Sequence, residues 1–122
     1  MRRLYIAGPY SADNVITVLN NMRKGMRIST EAFLAGFAPF CPWLDYQYTL
    51  MLREGESLTV PDYYGYSNAW LEVSDGILLI EGWENSKGAL AEKVLAEKLG
   101  IPVFYRLEDV VEHFKPVRDG NG

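Results

Sequence analysis

Short apolar runs punctuate the chain, and each gives way to a turn or a helix. The first, "RLYIAG", is stopped by Gly8-Pro9 and predicts a strand followed by a turn. Asp13 and Asn14 then offer an N-cap for a long helix through "VITVLNNMRKGMRISTEAFLAG", where Leu19, Met22, Met26, Ala32, Phe33 and Ala35 recur at roughly helical spacing. Gly25 weakens that helix without breaking it, and Gly36 terminates it. "FAPFCP" predicts only a short second strand, because Pro39 and Pro42 donate nothing to a ladder. The stretch from Trp43 to Tyr66 is the least regular, with a short helix expected around Tyr46 to Arg53 and a loop after it.

From about Tyr63 the pattern turns helical again, with Tyr66, Ala69, Trp70 and Val73 as an apolar stripe. Ser74-Asp75-Gly76 leads into "ILLI", whose lack of polar alternation predicts a central strand buried on both faces. Another helix follows "GWENSKG", with Leu90, Val94 and the run to Leu99 expected inward. "GIPVFY" predicts a fourth strand and "LEDVVEHF" a short amphipathic helix. Strands and helices that alternate in this way predict an α/β fold, a parallel sheet covered on both faces. One domain over residues 1–114 and a polar tail over 115–122 are expected.

Composition narrows the function. The 122 residues are 48% hydrophobic and 23% charged, with a formal net charge of -4. An acidic chain argues against gripping a nucleic-acid backbone, though it allows a small anion at one local site. The single cysteine, Cys41, forms no internal disulfide and favours a reducing compartment. No charged-then-apolar leader opens the chain and no apolar stretch approaches a membrane span, so a soluble cytoplasmic protein with no membrane partner is expected.

Chemistry is expected where such folds bind ligands, at the C-terminal ends of the strands and the helix N-termini beyond them. Three loops fall there: "GPYSADN", "CPWLDYQY" and "EGWENSKG". The first places Gly8, Pro9, Tyr10 and Ser11 beside a helix start, and the third does so with Ser86, Lys87 and Gly88; each also reads as an ordinary turn or N-cap. Neither GxGxxG nor a Walker loop occurs. One histidine, His113, and one cysteine cannot supply the usual zinc site, and no serine-histidine-acid set is evident. Carboxylates remain: Asp45, Asp75, Glu81, Glu84 and Glu92. Asp75 reads equally as part of a plain turn, and Glu92 as a helix-surface charge. Aromatics in polar loops are candidates for stacking on a base.

"LYIAGPY", "SDGILLI" and "SKGALAEKVLAEKLGIPVF", in this order and at about these separations, resemble the nucleoside 2-deoxyribosyltransferase superfamily, in particular its short phage- and bacterium-encoded members and its nucleoside 5′-monophosphate N-glycosidases. The resemblance spans roughly Arg3 to Phe104, with gaps through residues 45 to 64. It implies a Rossmann-like three-layer sandwich with a short, mostly parallel sheet. It also implies Glu92 as nucleophile, Asp75 as the aspartate before the central strand and Tyr10 as the polar group after the first strand. Ser86 stands where the transferases carry a second aspartate and the monophosphate glycosidases a serine, which shifts the expectation from nucleoside to nucleotide. No metal or organic cofactor is implied. A homodimer or larger homo-oligomer is, and an exposed apolar patch around Tyr66, Trp70 and Val73 would be its physical sign.

The expected mechanism has Glu92 beneath the anomeric carbon of a cation-like sugar. The N–H groups of its helix's first turn and the Tyr10 hydroxyl would keep it ionised. Asp75 would manage the proton on the departing base or hold sugar hydroxyls. Ser86 and the backbone at Ser11 or Gly88 would bind the 5′-phosphate, with Lys87 as a point charge, and Trp43, Tyr46 or residues of the irregular segment 45–64, Asp45 among them, would cover the base. Water as acceptor gives hydrolysis, and a second base gives transfer. A nucleotide-binding or regulatory protein without catalysis is the alternative.

Overall fold

The computed structural model describes residues 1–115. It is an α/β three-layer sandwich: a parallel four-stranded sheet in the order β2-β1-β3-β4, with helices on both faces. The strands are β1 (Arg3–Ala7), β2 (Ala38–Phe40), β3 (Gly76–Leu79) and β4 (Val103–Phe104). The helices are α1 (Val15–Leu34), α2 (Tyr46–Leu50), α3 (Val60–Leu71), α4 (Lys87–Lys98) and α5 (Leu107–Phe114). Short 3-10 turns at Pro42–Asp45 and Trp83–Asn85 lead out of β2 and β3. The tail expected at 115–122 lies, from residue 116 on, outside the described residues.

Period-two alternation sends the residues of β1 and β3 to opposite faces. Leu4, Ile6, Leu78 and Ile80 join Ala32, Phe37 and Val110 beneath α1 and α5. Tyr5, Ala7, Ile77 and Leu79 join Leu71, Ala89 and Ala96 beneath α3 and α4. This two-sided burial explains why the strands read as unbroken apolar runs.

Local chemistry sets the helix ends. Asn14 caps α1, accepting from the Thr17 N–H at 2.8 Å, and Gly36 beyond it takes a left-handed φ of 99°. The expected weakness of α1 at Gly25 has a use. A Cβ there would lie 2.2 Å from the Trp43 ring, so the missing side chain lets the indole lie against the helix. The third helix starts at Val60 rather than near Tyr63, because Thr59 and Asp62 form a reciprocal capping box.

One expected face is corrected. On α4 the inward positions are Ala89 and Ala96, while Leu90, Val94 and Leu99 are exposed. On α3 Ser67 and Leu71 are buried, half-exposed Trp70 stacks on Phe40 of β2, and Val73 follows the helix, half exposed. On α4 the sheet is met by Ala89, Ala96 and half-buried Leu95, and Leu90 and Val94 lie on the outer flank.

Candidate functional site

β2 lies on one side of β1 and β3 on the other, so the loops that leave β1 and β3 part at the centre of the sheet and open a crevice there. A cleft of about 650 Å³ occupies this place. The loop after β1, the turn and α2 after β2, and the loop and α4 after β3 all line it, as the three-loop expectation held. The start of α3 closes the remaining wall.

The loop after β1 is fastened from several sides. The Trp43 indole N–H donates to the Pro9 carbonyl at 2.9 Å, and Asn21 of α1 donates to the Tyr10 carbonyl at 3.1 Å. Gly8 fits because a Cβ there would meet Ile80 at 2.5 Å, and Gly82, at φ 92°, because one would meet Pro9 at 2.8 Å. The loops after β1 and β3 thus touch through glycine, which holds the mouth of the cleft in one shape.

Glu92, on the second turn of α4, lines the cleft and accepts from the Tyr5 hydroxyl at 2.5 Å. Tyr5 is 0% exposed, its ring stacked on Phe40 with centroids 5.1 Å apart, so the hydroxyl is delivered from inside the sheet. Burial pushes the Glu92 carboxyl from its ordinary 4.5 up to about 7, and the Tyr5 hydrogen bond only partly opposes this. Burial first, and then the charge of Glu92, hold the Tyr5 hydroxyl protonated well above its usual range. This corrects the expectation for Glu92 in two respects. Its partner is Tyr5 rather than Tyr10, and no N–H of the first turn of α4 reaches it among the described hydrogen bonds. Desolvation therefore outweighs stabilisation of the anion.

Tyr10 instead donates to Asp45 Oδ1 at 2.9 Å. Asp45 closes the turn after β2, is 8% exposed, and its carboxyl is raised by burial against the opposing Tyr10 bond. Asp75 is placed elsewhere. It precedes β3, at the opposite end of the sheet, where its Oδ2 accepts from the Arg3 N–H at 2.7 Å, and it is absent from the cleft lining. The expectation that Asp75 shares a pocket with Glu92 is thereby corrected: a residue before a strand and one after it face opposite edges.

The other expected residues divide. Gly8, Pro9, Ser11, Tyr46, Ser86, Lys87 and Gly88 line the cleft. Ser86 caps α4, accepting from the Ala89 N–H at 3.2 Å, and the N–H groups of Lys87 and Gly88 find no acceptor among the described residues. With Lys87 they form an anion-favouring helix end. Trp43 reaches the lining but is 1% exposed and bound by its N–H, so it is the floor of the cleft rather than a cover for a ligand.

Sequence reasoning missed Tyr5 and Ser67, whereas Tyr63 and Tyr64 belong to the segment expected to cover the base. Buried Ser67 of α3 faces the Tyr5 hydroxyl, and Tyr63 and Tyr64 line the cleft beside it. Tyr63 and Thr49 hydrogen-bond through their hydroxyls, which joins α2 to α3 across the irregular segment. A signal for Tyr5 did exist: a tyrosine inside a strand buried on both faces must find a partner for its hydroxyl. Among the described residues no three His, Cys, Asp or Glu side chains are grouped as metal ligands, and no helix is long and apolar enough to cross a membrane.

The chain belongs to the family described as a domain of unknown function (DUF4406), whose model matches residues 2–105. No curated protein matches the chain.

Proposed function

We propose that this chain hydrolyses the N-glycosidic bond of a nucleoside 5′-monophosphate, with Glu92 as nucleophile and free base as product. The observation that carries the reading is Glu92 itself, a carboxylate sunk in the cleft and held at 2.5 Å by a tyrosine from the sheet interior. A helix-surface charge would meet neither condition. The reading is also supported by the resemblance of "LYIAGPY", "SDGILLI" and "SKGALAE" to the nucleoside 2-deoxyribosyltransferase superfamily.

Chemically, a carboxylate beneath C1′ stabilises positive charge on the sugar or bonds to it, and the raised pKa makes Glu92 reactive once ionised. The end of α4, with Lys87, Ser86 and Gly88, suits the 5′-phosphate, and Tyr46, Tyr63 and Tyr64 offer flat faces to the base. Asp75 has no part in this reading. Water as acceptor gives hydrolysis, and a second base in the same space gives transfer. No metal or organic cofactor enters the reading.

A binding role without catalysis is favoured by one observation: the Tyr5 hydroxyl already occupies Glu92 Oε2, and burial raises this carboxyl to about 7, which favours its neutral form in mildly acidic solution. A panel of ribo- and deoxyribonucleoside 5′-monophosphates, followed for free base with wild type and Glu92→Ala, separates the two. Release by wild type alone supports hydrolysis; binding without release supports the second role. Assembly of copies belongs to the first reading, with exposed Trp70 of α3 and Val73 just after it as its surface. Sedimentation as a monomer at micromolar concentration would remove that part.

A further inference from the structure

We infer that Asp45, oriented by Tyr10, is the group that meets the departing base and gives it a proton. The inference rests on the glycosidase reading and fills the place that Asp75 leaves empty. A carboxyl buried as deeply as Asp45 normally has a cation or several donors. Here Oδ1 accepts from the Tyr10 hydroxyl at 2.9 Å, and Oδ2 has no partner among the described residues. No lysine or arginine forms an ion pair with Asp45 among them. The cleft lining has one cation, Lys87, and it lies at the start of α4. An open oxygen in the wall of a cleft is costly unless a proton or a ligand occupies it.

Tyr10 decides which oxygen is open. Its hydroxyl is itself pushed up by burial and by Asp45, so it remains a donor to Oδ1. The carboxylic proton, when present, therefore resides on Oδ2. Around this pair stand the rings of Tyr46 and Tyr63, which suit a flat heterocycle better than a sugar phosphate. The two carboxyls also share a support. Tyr5 of β1 holds Glu92, and Tyr10 of the following loop holds Asp45, so one strand and its loop set both positions.

The step balances without any further reagent but water. The C1′–N bond breaks, its electron pair passes to the base, and a Glu92 oxygen bonds to C1′. The Asp45 Oδ2 proton moves to a ring nitrogen or carbonyl oxygen of the base. Water then adds to C1′ as the Glu92–C1′ bond breaks and its pair returns to the carboxylate, and the water proton restores Asp45. The substrates so defined are nucleotides whose base has an acceptor atom beyond the glycosidic nitrogen.

The test compares purine nucleoside 5′-monophosphates with 4-nitrophenyl riboside 5′-phosphate, whose leaving group departs without a proton. Asp45→Asn should lower kcat/KM on the nucleotides by about 10²- to 10⁴-fold and on the nitrophenyl substrate by less than about 10-fold. Asp45→Glu, which keeps an acid, should retain more of the nucleotide rate than Asp45→Asn. Tyr10→Phe should lower kcat for nucleotides more than it raises KM. In calorimetry, Asp45→Asn should weaken binding of free purine and leave ribose 5-phosphate binding unchanged. Equal losses on both substrates in a variant that melts like wild type would overturn the inference, as would unaltered purine binding. If wild type releases no base from any substrate, the glycosidase reading and the proton transfer fall together. Purine binding that still drops with Asp45→Asn in that protein upholds Asp45 as the base contact.

Discussion

The two ends of the sheet use the same residue types to opposite effect. At the N-terminal end Asp75 accepts a main-chain N–H of Arg3 and ties β1 to the entry of β3. Arg2 lies over the Phe114 ring near the same end, 5.1 Å from its centroid. At the C-terminal end Glu92 and Asp45 each have one tyrosine hydroxyl and no described salt bridge, and burial raises both. A carboxylate that satisfies the backbone stabilises the fold. One that is buried with too few donors costs stability and is kept ready for a ligand. The contrast identifies the working edge more sharply than the size of the cleft does.

The largest expected effect would break that contrast at its centre. Glu92→Gln should reduce base release by at least about 10³-fold, roughly 4 kcal/mol of transition-state stabilisation, in steady-state assays. In wild type the rate should trace a bell against pH, because Glu92 must be ionised while Asp45 is protonated, and Asp45→Asn should leave only the limb that rises through about 7 as Glu92 ionises. Activity within tenfold of wild type would make Glu92 a bystander.

Next comes the stability of the same variant. The native state binds the Glu92 proton more tightly than the unfolded chain does. That contribution is complete below about 4.5 and is lost as pH rises through about 7. Glu92→Gln should therefore be more stable than wild type by up to about 3 kcal/mol at pH 8, and nearly equal to it at about pH 4, in urea unfolding. The same substitution would weaken function and strengthen the fold. Equal stabilities at pH 8 would show that the burial of Glu92 costs nothing.

Gly25→Ala probes the floor of the cleft. Its Cβ would fall 2.2 Å from the Trp43 ring, so the indole must move and release the Pro9 carbonyl. A loss of about 2 kcal/mol is expected, against the usual helix gain of alanine, with a changed near-ultraviolet signal from Trp43. The smallest effect belongs to the other end. Asp75→Ala should cost about 1 kcal/mol in unfolding and leave base release within twofold of wild type. A large loss of activity there would erase the distinction between the two ends.

Much of the architecture was legible because its causes are local. The unbroken apolar runs of β1 and β3, the Asn14 cap and the Gly36 stop each act within a few residues. The loops expected at the sheet edge are those that line the cleft, since βα loops follow from strand direction. The inward face of α4 was misread because periodicity spaces a helical face without saying which face meets the sheet. Leu90 is larger and more apolar than Ala89, yet it is the smaller side chain that lets the helix approach the strands. Trp43 was misread as a lid because nothing nearby in the chain shows that Gly25, eighteen positions earlier, leaves a groove for it.

By itself the sequence determined the elements, their order and the three loops that line the cleft, because these depend on patterns a few residues long. Only the tertiary structure decided the pairings: Tyr5 with Glu92 across 87 positions, Tyr10 with Asp45 across 35, and Asp75 with the backbone of Arg3 across 72. Those pairings depend on strand order, on which face of β1 a side chain occupies and on which end of the sheet a loop reaches. Parallel pairing sets all three, and no short stretch of the chain encodes it.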